Sequence, residues 1–479
     1  MKTSVCLRWP AMVVCASGMI LSEGVAAEVR PSEPVDIGSR LELLVDRHLV
    51  DQLAGAEFRL HQPQKLPLAH APFTGQYATV IKDGDLFRGY YRGSDPAQEG
   101  RQAEITCYAE SQDGHEWTFP ELGIIEIGGS LSNNVIVRNN DHSHNFSPFL
   151  DTNPAAAPDQ RYKALAQGRT KPDNQKGLTP FVSADGIHWA RMIDARPVVV
   201  LDPPEEAFDS QNVVFWSEAE EQYVCYFRTW QTRHGKLRTI SRTTSPDFVN
   251  WSKPVLMDPN LPNEHLYTNQ THPYFRAPHI YIALPSRFTA GQVDGVPAER
   301  GMLGSTDILF MTSRAGSETY DRLFTEAFIR PGLAPERWGS RANYAALNVV
   351  PTGPEEMSIY HAKSGHRYVL RTDGFISINA GARPGEMLTR PLIFDGNDLA
   401  LNYSTSAAGW CKVEIQTPDG QPLPGFALED CLPLVGDHIE RSVAWQNGSD
   451  LGALAGRPVR VRFVMAECDL YALRFRAVE

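Results

Sequence analysis

Ser111-Gln112-Asp113-Gly114-His115-Glu116-Trp117 recurs as Ser183-Ala184-Asp185-Gly186-Ile187-His188-Trp189 and again as Ser245-Pro246-Asp247-Phe248-Val249-Asn250-Trp251. A degraded copy begins at Ser313. The S-x-D-x-x-x-W spacing predicts a tight turn between antiparallel strands. Its Ser and Asp side chains bond the turn backbone, and its Trp packs between neighbouring sheets. Alternating with these turns is a short aromatic strand, marked by Phe87, Tyr162, Tyr223, Tyr281 and Tyr368. Elsewhere Val, Ile, Tyr, Phe and Thr alternate with polar residues in short runs, and helical periodicity is nearly absent. Five copies at roughly 60–90-residue intervals predict an all-β chain built on a five-bladed β-propeller over residues 76–382. Hairpin patterning without the Asp turn continues over 383–479 and predicts a C-terminal β-sandwich domain. Residues 28–75 are the N-terminal segment closing the propeller, with Leu41 to Leu53 as the source of the closing strand. A series of sandwiches is the competing architecture.

Composition narrows the partners. The chain has 479 residues and a formal net charge of -12, which argues against a nucleic acid, because phosphate binding needs a basic surface. Lys2 and Arg8, an apolar stretch from Ala11 to Leu21 and Val25-Ala26-Ala27 read as a signal peptide over 1–27. The apolar stretch is too short for a membrane span, so the expected location is secreted or periplasmic. Beyond the signal, Cys107, Cys225, Cys411, Cys431 and Cys468 are thinly spread and form no Cys-x-x-Cys. One bridge among the last three is an open pairing. Metalloprotease, nucleophile-elbow and phosphate-loop motifs are absent. No cofactor is implied, and the oligomeric state is not legible.

Three further stretches carry a resemblance: Leu44-Val45-Asp46-Arg47-His48-Leu49-Val50, Asp209-Ser210-Gln211-Asn212-Val213-Val214-Phe215-Trp216 and Arg371-Thr372-Asp373-Gly374-Phe375. With the five repeats, they make the chain similar to secreted bacterial proteins of the glycoside hydrolase 32 and 43 type. The resemblance implies an exported glycoside hydrolase working on a carbohydrate substrate, an oligo- or polysaccharide. Family 32 motifs are missing, however. There is no Asn-Asp-Pro-Asn-Gly in blade one, no Arg-Asp-Pro in blade two, and the one Glu-Asp-Cys, at Glu429 to Cys431, falls in the sandwich. That family's catalytic residues are therefore not carried over.

Glycosidases commonly use two carboxyl groups, and in a propeller these sit where inner strands meet the channel mouth. Counting back from each aromatic strand, Asp209 is the expected nucleophile or base, Glu356 the general acid and Glu264 a third catalytic carboxyl. His144, Asn145, Asn212, Arg228, Arg287 and Tyr267 are the expected substrate-binding residues. His142 and His144 lie two apart without a third ligand at metal-site spacing, so no metal is assigned. Asp113, Asp185 and Asp247 are structural. Two alternatives stand: a non-catalytic carbohydrate-binding propeller, and a sialidase-like hydrolase of acidic sugars that uses Arg92, Arg228, Arg287 and Arg371 with a Tyr nucleophile.

Overall fold

A computed structural model describes residues 33–478 apart from 140, 194–195, 204–205 and 292–303; the predicted signal peptide lies outside the described residues. The chain is all-β, with 48% strand and 4% helix. Sheet one runs Gln76–Asp83, Leu86–Ser94, Glu104–Ser111, Val135–Val137, each strand antiparallel to the last. Sheet two uses Ser147–Leu150, Tyr162–Arg169, Lys176–Ser183 and Ala190–Arg191, and sheet three Val213–Ser217, Gln222–Thr232, Gly235–Ser245 and Val255–Leu256. Sheet four is His272–Tyr274, Ala277–Ala283 and Met311–Arg314, extended by a hairpin sheet that includes Ser286–Ala290. Sheet five is Val350–Pro351, Glu356–Tyr360, Arg367–Arg371 and, from the N-terminal segment, Gln64–Lys65.

The first strands of successive sheets are neighbours. Gln76–Asp83 lies beside Ser147–Leu150, which lies beside Val213–Ser217, which lies beside His272–Tyr274. Val350–Pro351 lies beside Gln76–Asp83, and Thr79 bridges Leu347 in parallel. One cavity of about 360 Å³ is lined by all five first strands or their immediate flanks, including Ile81, Phe149, Phe215, Tyr274 and Val349.

The Asp turns fold as their spacing predicts. Asp113 Oδ1 accepts from the His115 and Glu116 amides at 2.7 and 3.0 Å, and Ser111 Oγ accepts from Gly114 N at 2.9 Å. Asp185 and Asp247 repeat the pattern. Amide donors outweigh the upward push of burial and hold all three carboxyls below their ordinary range, Asp247 at about 2. Each turn presses on the sheet before it. Tyr360 of sheet five donates to Gly114 O at 2.6 Å, Trp189 packs edge-on to Tyr90 of sheet one, and Phe248 meets Phe149 of sheet two. A Cβ on Gly186 would stand 2.6 Å from the Tyr90 hydroxyl, and its φ of +77° is itself glycine's. The aromatic-strand markers Tyr162, Tyr223 and Tyr281 are buried, each contributing about 1.5–3 kcal/mol of apolar transfer.

Residues after the fifth sheet form a second unit around two long bent strands, Asp398–Gln416 and Arg460–Arg476. It begins before residue 383, because Ile376–Ala380 pairs with Arg460–Arg476. It also takes Leu41 to Leu53: Glu42–Leu43 pairs with Leu473 and Ala472, and Val50–Ala54 with Glu386 to Thr389. The strand added to sheet five is therefore Gln64–Lys65, not the Leu41–Leu53 stretch. All five described cysteines are free and buried.

Two polar joints connect this unit to the sheets. Arg314 of sheet four spans Glu42 at 2.8 Å and Asp46 at 2.7 Å, and His279 adds a 3.0 Å contact to Glu42. Asp373 accepts from Tyr274 at 2.7 Å and from Asn402 at 2.8 Å. Burial alone would raise the Glu42 pKa, but the His279 hydrogen bond and the Arg314 charge bring it down to about 2. A carboxyl depressed on folding adds stability above its unfolded pKa, and loses it as pH falls through the folded one. Arg314→Met, which strands two buried carboxylates, is expected to cost about 3–5 kcal/mol at neutral pH. It should also flatten the loss of stability between pH 4.5 and 2. Urea denaturation across that pH range measures both.

Candidate functional site

The first strands enter their sheets at one end of the ring, and the residues just ahead of them converge there. Sheet one brings Tyr77, sheet two His144, sheet three Asp209, the sheet-four approach Tyr267, and sheet five Tyr344. Asp209 Oδ1 lies 3.1 Å from His144 Nε2 and 3.0 Å from Arg101 Nη2, while Oδ2 accepts from Arg228 Nη2 at 2.8 Å. On the other ring nitrogen, His144 Nδ1 is 2.8 Å from Glu104 Oε2. Glu104 is the first residue of the third strand of sheet one, and it also pairs with Arg92 at 3.1 Å. One imidazole thus joins carboxylates from two other sheets. Both its nitrogens can donate at once only in the cationic form.

Electrostatics keep both carboxylates ionised. Burial would raise Asp209, but the His144 hydrogen bond and the Arg228 charge hold it far below the ordinary carboxylate range. Glu104 is lowered for the same reason, with His144 first among the opposing causes, then Arg92 and Arg101. Arg228 is 2% exposed, and its Nε and Nη1 have no hydrogen-bond partner among the described residues. Its guanidinium instead lies 5.4 Å from the ring centroids of Trp230 and Tyr267. Arg238 sits 4.4 Å over Trp230 and 5.0 Å over Tyr267.

Beneath these charges three tyrosines stack in a row. Tyr77 and Tyr344 are 6.0 Å apart at 11°, and Tyr344 and Tyr267 are 5.5 Å apart at 27°. Burial drives Tyr77 and Tyr344 upward, so neither is a ready nucleophile of the sialidase kind. Below them a hydrogen-bonded plug crosses the axis. Gln211 Nε2 donates to Thr79 Oγ1 at 2.9 Å, and Gln270 Nε2 donates to Gln211 Oε1 and to Ala345 O, both at 2.8 Å. The 360 Å³ cavity lies beyond this plug, at the end remote from Asp209.

Of the expected site residues, Asp209, His144, Arg228 and Tyr267 share this mouth. Asn145 and Asn212 are fully buried beneath it. Asn145 donates to Phe208 O at 2.6 Å and Ser210 O at 2.8 Å, gripping the backbone on both sides of Asp209, and accepts from Gln167 N at 2.9 Å. Asn212 donates to Phe208 O at 3.3 Å. Both position rather than bind.

The other expected residues stand elsewhere. Glu356 follows the far end of Val350–Pro351, opens the second strand of sheet five, and is bonded by Arg367 and Thr352, each at 2.8 Å. Because Leu347, just ahead of that strand, runs parallel to Thr79, this is the end opposite Asp209. The aromatic marker Tyr368 belongs to the third strand of sheet five, not the second, so counting back from it lands one strand too far. Glu264 is buried and held bidentately by Arg322 at 2.7 and 3.1 Å, a structural ion pair. Arg287 is committed to Asp307 and Thr325 O, and Arg371 to Asp437 and Asn402 at the joint with the second unit. The arginines that do gather are Arg92, Arg101, Arg228, Arg238 and Arg341. Glu104, Arg101, Arg238, Arg341, Tyr77 and Tyr344 were not anticipated as site residues. Glu104 opens a third strand, and no repeat marks such a position.

No protein-family model matches the chain, and no curated protein matches it. Solved structures similar to it include glycoside hydrolases of the two types already named. One is described as "Glycoside hydrolase", at 13% identity over 65% of this chain and 92% of that one, TM-score 0.43. Another is the glycoside hydrolase family 43 arabinoxylan arabinofuranohydrolase from Bacillus subtilis in complex with cellotetraose, at 13% over 86% and 97%, TM-score 0.38. A third is the Bombyx mori GH32 beta-fructofuranosidase, at 10% over 88% and 95%, TM-score 0.40. What those proteins act on is not transferred to this chain.

Asn145→Ala takes a partner from Ser210 O and from Gln167 N, leaves Phe208 O with only the 3.3 Å bond from Asn212, and is expected to cost about 1–3 kcal/mol. Loss of function beyond that of an equally destabilised variant remote from the mouth would follow if the Asp209 loop shifts. Thermal midpoints measured beside ligand binding separate the two effects.

Proposed function

We propose that the five sheets are the blades of a β-propeller followed by a β-sandwich, and that the protein is an exported glycosidase working at the Asp209 mouth. The observation that carries this is the single imidazole of His144 held between Asp209 and Glu104, carboxylates drawn from separate sheets to one end of the ring. In this reading His144 gives a proton to the departing glycosidic oxygen. Asp209, kept ionised by Arg228 and His144, stabilises positive charge developing on the sugar ring or orients the attacking water. Glu104 holds the imidazole in place through Nδ1. Trp230, half-buried, stands beside them.

A non-catalytic carbohydrate-binding role has one observation in its favour. Asp209 and Glu104 are both lowered, whereas Asp321 and Asp373, carboxyls that burial pushes upward, lie by Asp46 and at the Asn402 joint. A carboxylic general acid is thus missing from the mouth among the described residues, and hydrolysis depends on His144.

A panel of plant, algal and microbial glycans tests the choice. If the protein is a glycosidase, Asp209→Asn and His144→Ala should lower product release at least about 100-fold. Glu104→Gln should lower it less, and Glu356→Gln should leave it unchanged. Binding without product release by the wild type would favour the binding role, and full activity of Asp209→Asn would end the assignment of the mouth.

A further inference from the structure

Among the described residues, the mouth gathers more arginines than carboxylates. Arg92 pairs with Glu104, Arg101 and Arg228 pair with Asp209, Arg238 lies over Tyr267, and Arg341 stands by the tyrosine row, in a chain whose net charge is -12. Burial, with the neighbouring Arg228 charge, lowers the Arg238 pKa, as expected where like charges crowd. Arg228 keeps two buried guanidinium nitrogens without hydrogen-bond partners among the described residues. Arg101 and Arg341 present their charge at the exposed rim.

The basic surface continues on both sides. One cleft of about 480 Å³ is lined by Gln76, Arg92, Glu104 and Lys363. A second, of about 300 Å³, is lined by Arg169, Lys171 and Arg191 around His142, with Asp141 as its carboxylate. His142 is lowered by burial and stays neutral. Its Nδ1 donates to Gln167 O at 2.8 Å, and its Nε2 accepts from Arg191 at 3.1 Å. Gln167 Oε1 in turn accepts from Arg101 at 2.9 Å, the arginine that holds Asp209. The second cleft is therefore tied to the mouth through two residues. Arg169 ends the second strand of sheet two, on the same end of the ring as His144.

Building on the carbohydrate reading above, the geometry points to a polyanionic glycan as the ligand, with carboxylate or sulfate groups on successive sugars lying along Lys363, Arg92, Arg101 and the Arg169–Lys171–Arg191 cleft. Guanidinium forks suit planar oxyanions, and a row of them requires a chain of such groups rather than one acidic sugar. Clustered charge in a concave mouth also focuses the field on an incoming anion.

Titration calorimetry with the Asp209→Asn protein, which separates binding from turnover, tests this with three hexasaccharides of equal length: an oligogalacturonate, a sulfated galactan fragment and neutral galactan. One anionic hexamer should bind at least about tenfold more tightly than the neutral one, with affinity falling steeply as salt rises. Which of the two binds identifies the charged group. The double variant Lys171→Gln/Arg191→Gln, made at exposed positions, should weaken the anionic hexamer about tenfold and the matching disaccharide less than about twofold. Equal affinity for charged and neutral hexamers, or identical losses for hexamer and disaccharide, would overturn the proposal. Tight anionic binding by a protein that releases no product from any glycan would sink the glycosidase role and leave this one standing.

Discussion

Contact between each Asp turn and the sheet before it is what the rest of the molecule depends on. The turn bonds its own backbone through Ser and Asp, so its shape is set locally. That fixed shape then presents a glycine, a tryptophan or a phenylalanine to an aromatic residue of the preceding sheet. Trp117 reaches back to Tyr360, closing the circle between sheets one and five. Because the docking is repeated around a ring, the entry points of all five first strands are brought to one end although they are far apart in sequence. Asp209, His144 and Glu104 meet for that reason alone.

Once gathered, these groups define one another's charge. Asp209 faces His144, Arg101 and Arg228, so protonating it would break three charge-assisted contacts. Among the described residues the arginines of the mouth outnumber its carboxylates, and the tyrosine row lies beneath them. A site arranged this way discriminates by charge before it discriminates by shape.

Much of the architecture was legible because the turn repeat is a local signal. Ser, Asp and Trp at fixed spacing, with an aromatic strand between copies, carry their meaning within seven residues. Asp209, His144, Arg228 and Tyr267 were reachable by the same counting, since each lies just ahead of a first strand or on the strand that follows. The count failed in sheet five, where the second strand ends in Tyr360 and the marker Tyr368 sits one strand further out. It failed differently for Glu264, Arg287 and Arg371. An acid or an arginine at a strand end can turn to the mouth, to the rim or to a neighbouring unit. Only partners such as Arg322, Asp307 and Asp437, distant in sequence, decide which. The stretches Leu44 to Val50 and Arg371 to Phe375 identify a group of proteins, but here Asp46 and Asp373 serve the joints between units rather than chemistry.

The backbone at the mouth shows how rigid such a site has to be. Tyr77, Phe208, Gln270 and Arg341 all have left-handed φ, at +48°, +63°, +51° and +63°; Tyr77 is near the start of its first strand and the other three precede theirs. A non-glycine residue there is strained by about 1–3 kcal/mol, so four such residues would relax unless held. The holding groups are the buried amides. Asn145 grips Phe208 O, Gln211 reaches Ala78 O at 3.2 Å beside Tyr77, and Gln270 itself bridges Gln211 and Ala345 O. These side chains belong to sheets two, three and four and restrain backbone in sheets three, one and five, so no sheet sets its own entry angle. The glutamine plug is therefore more than a stopper between the mouth and the cavity behind it. It links the strained entries into one network, and the orientation of Asp209 towards His144 and Arg228 is a property of the whole ring rather than of the loop that carries it.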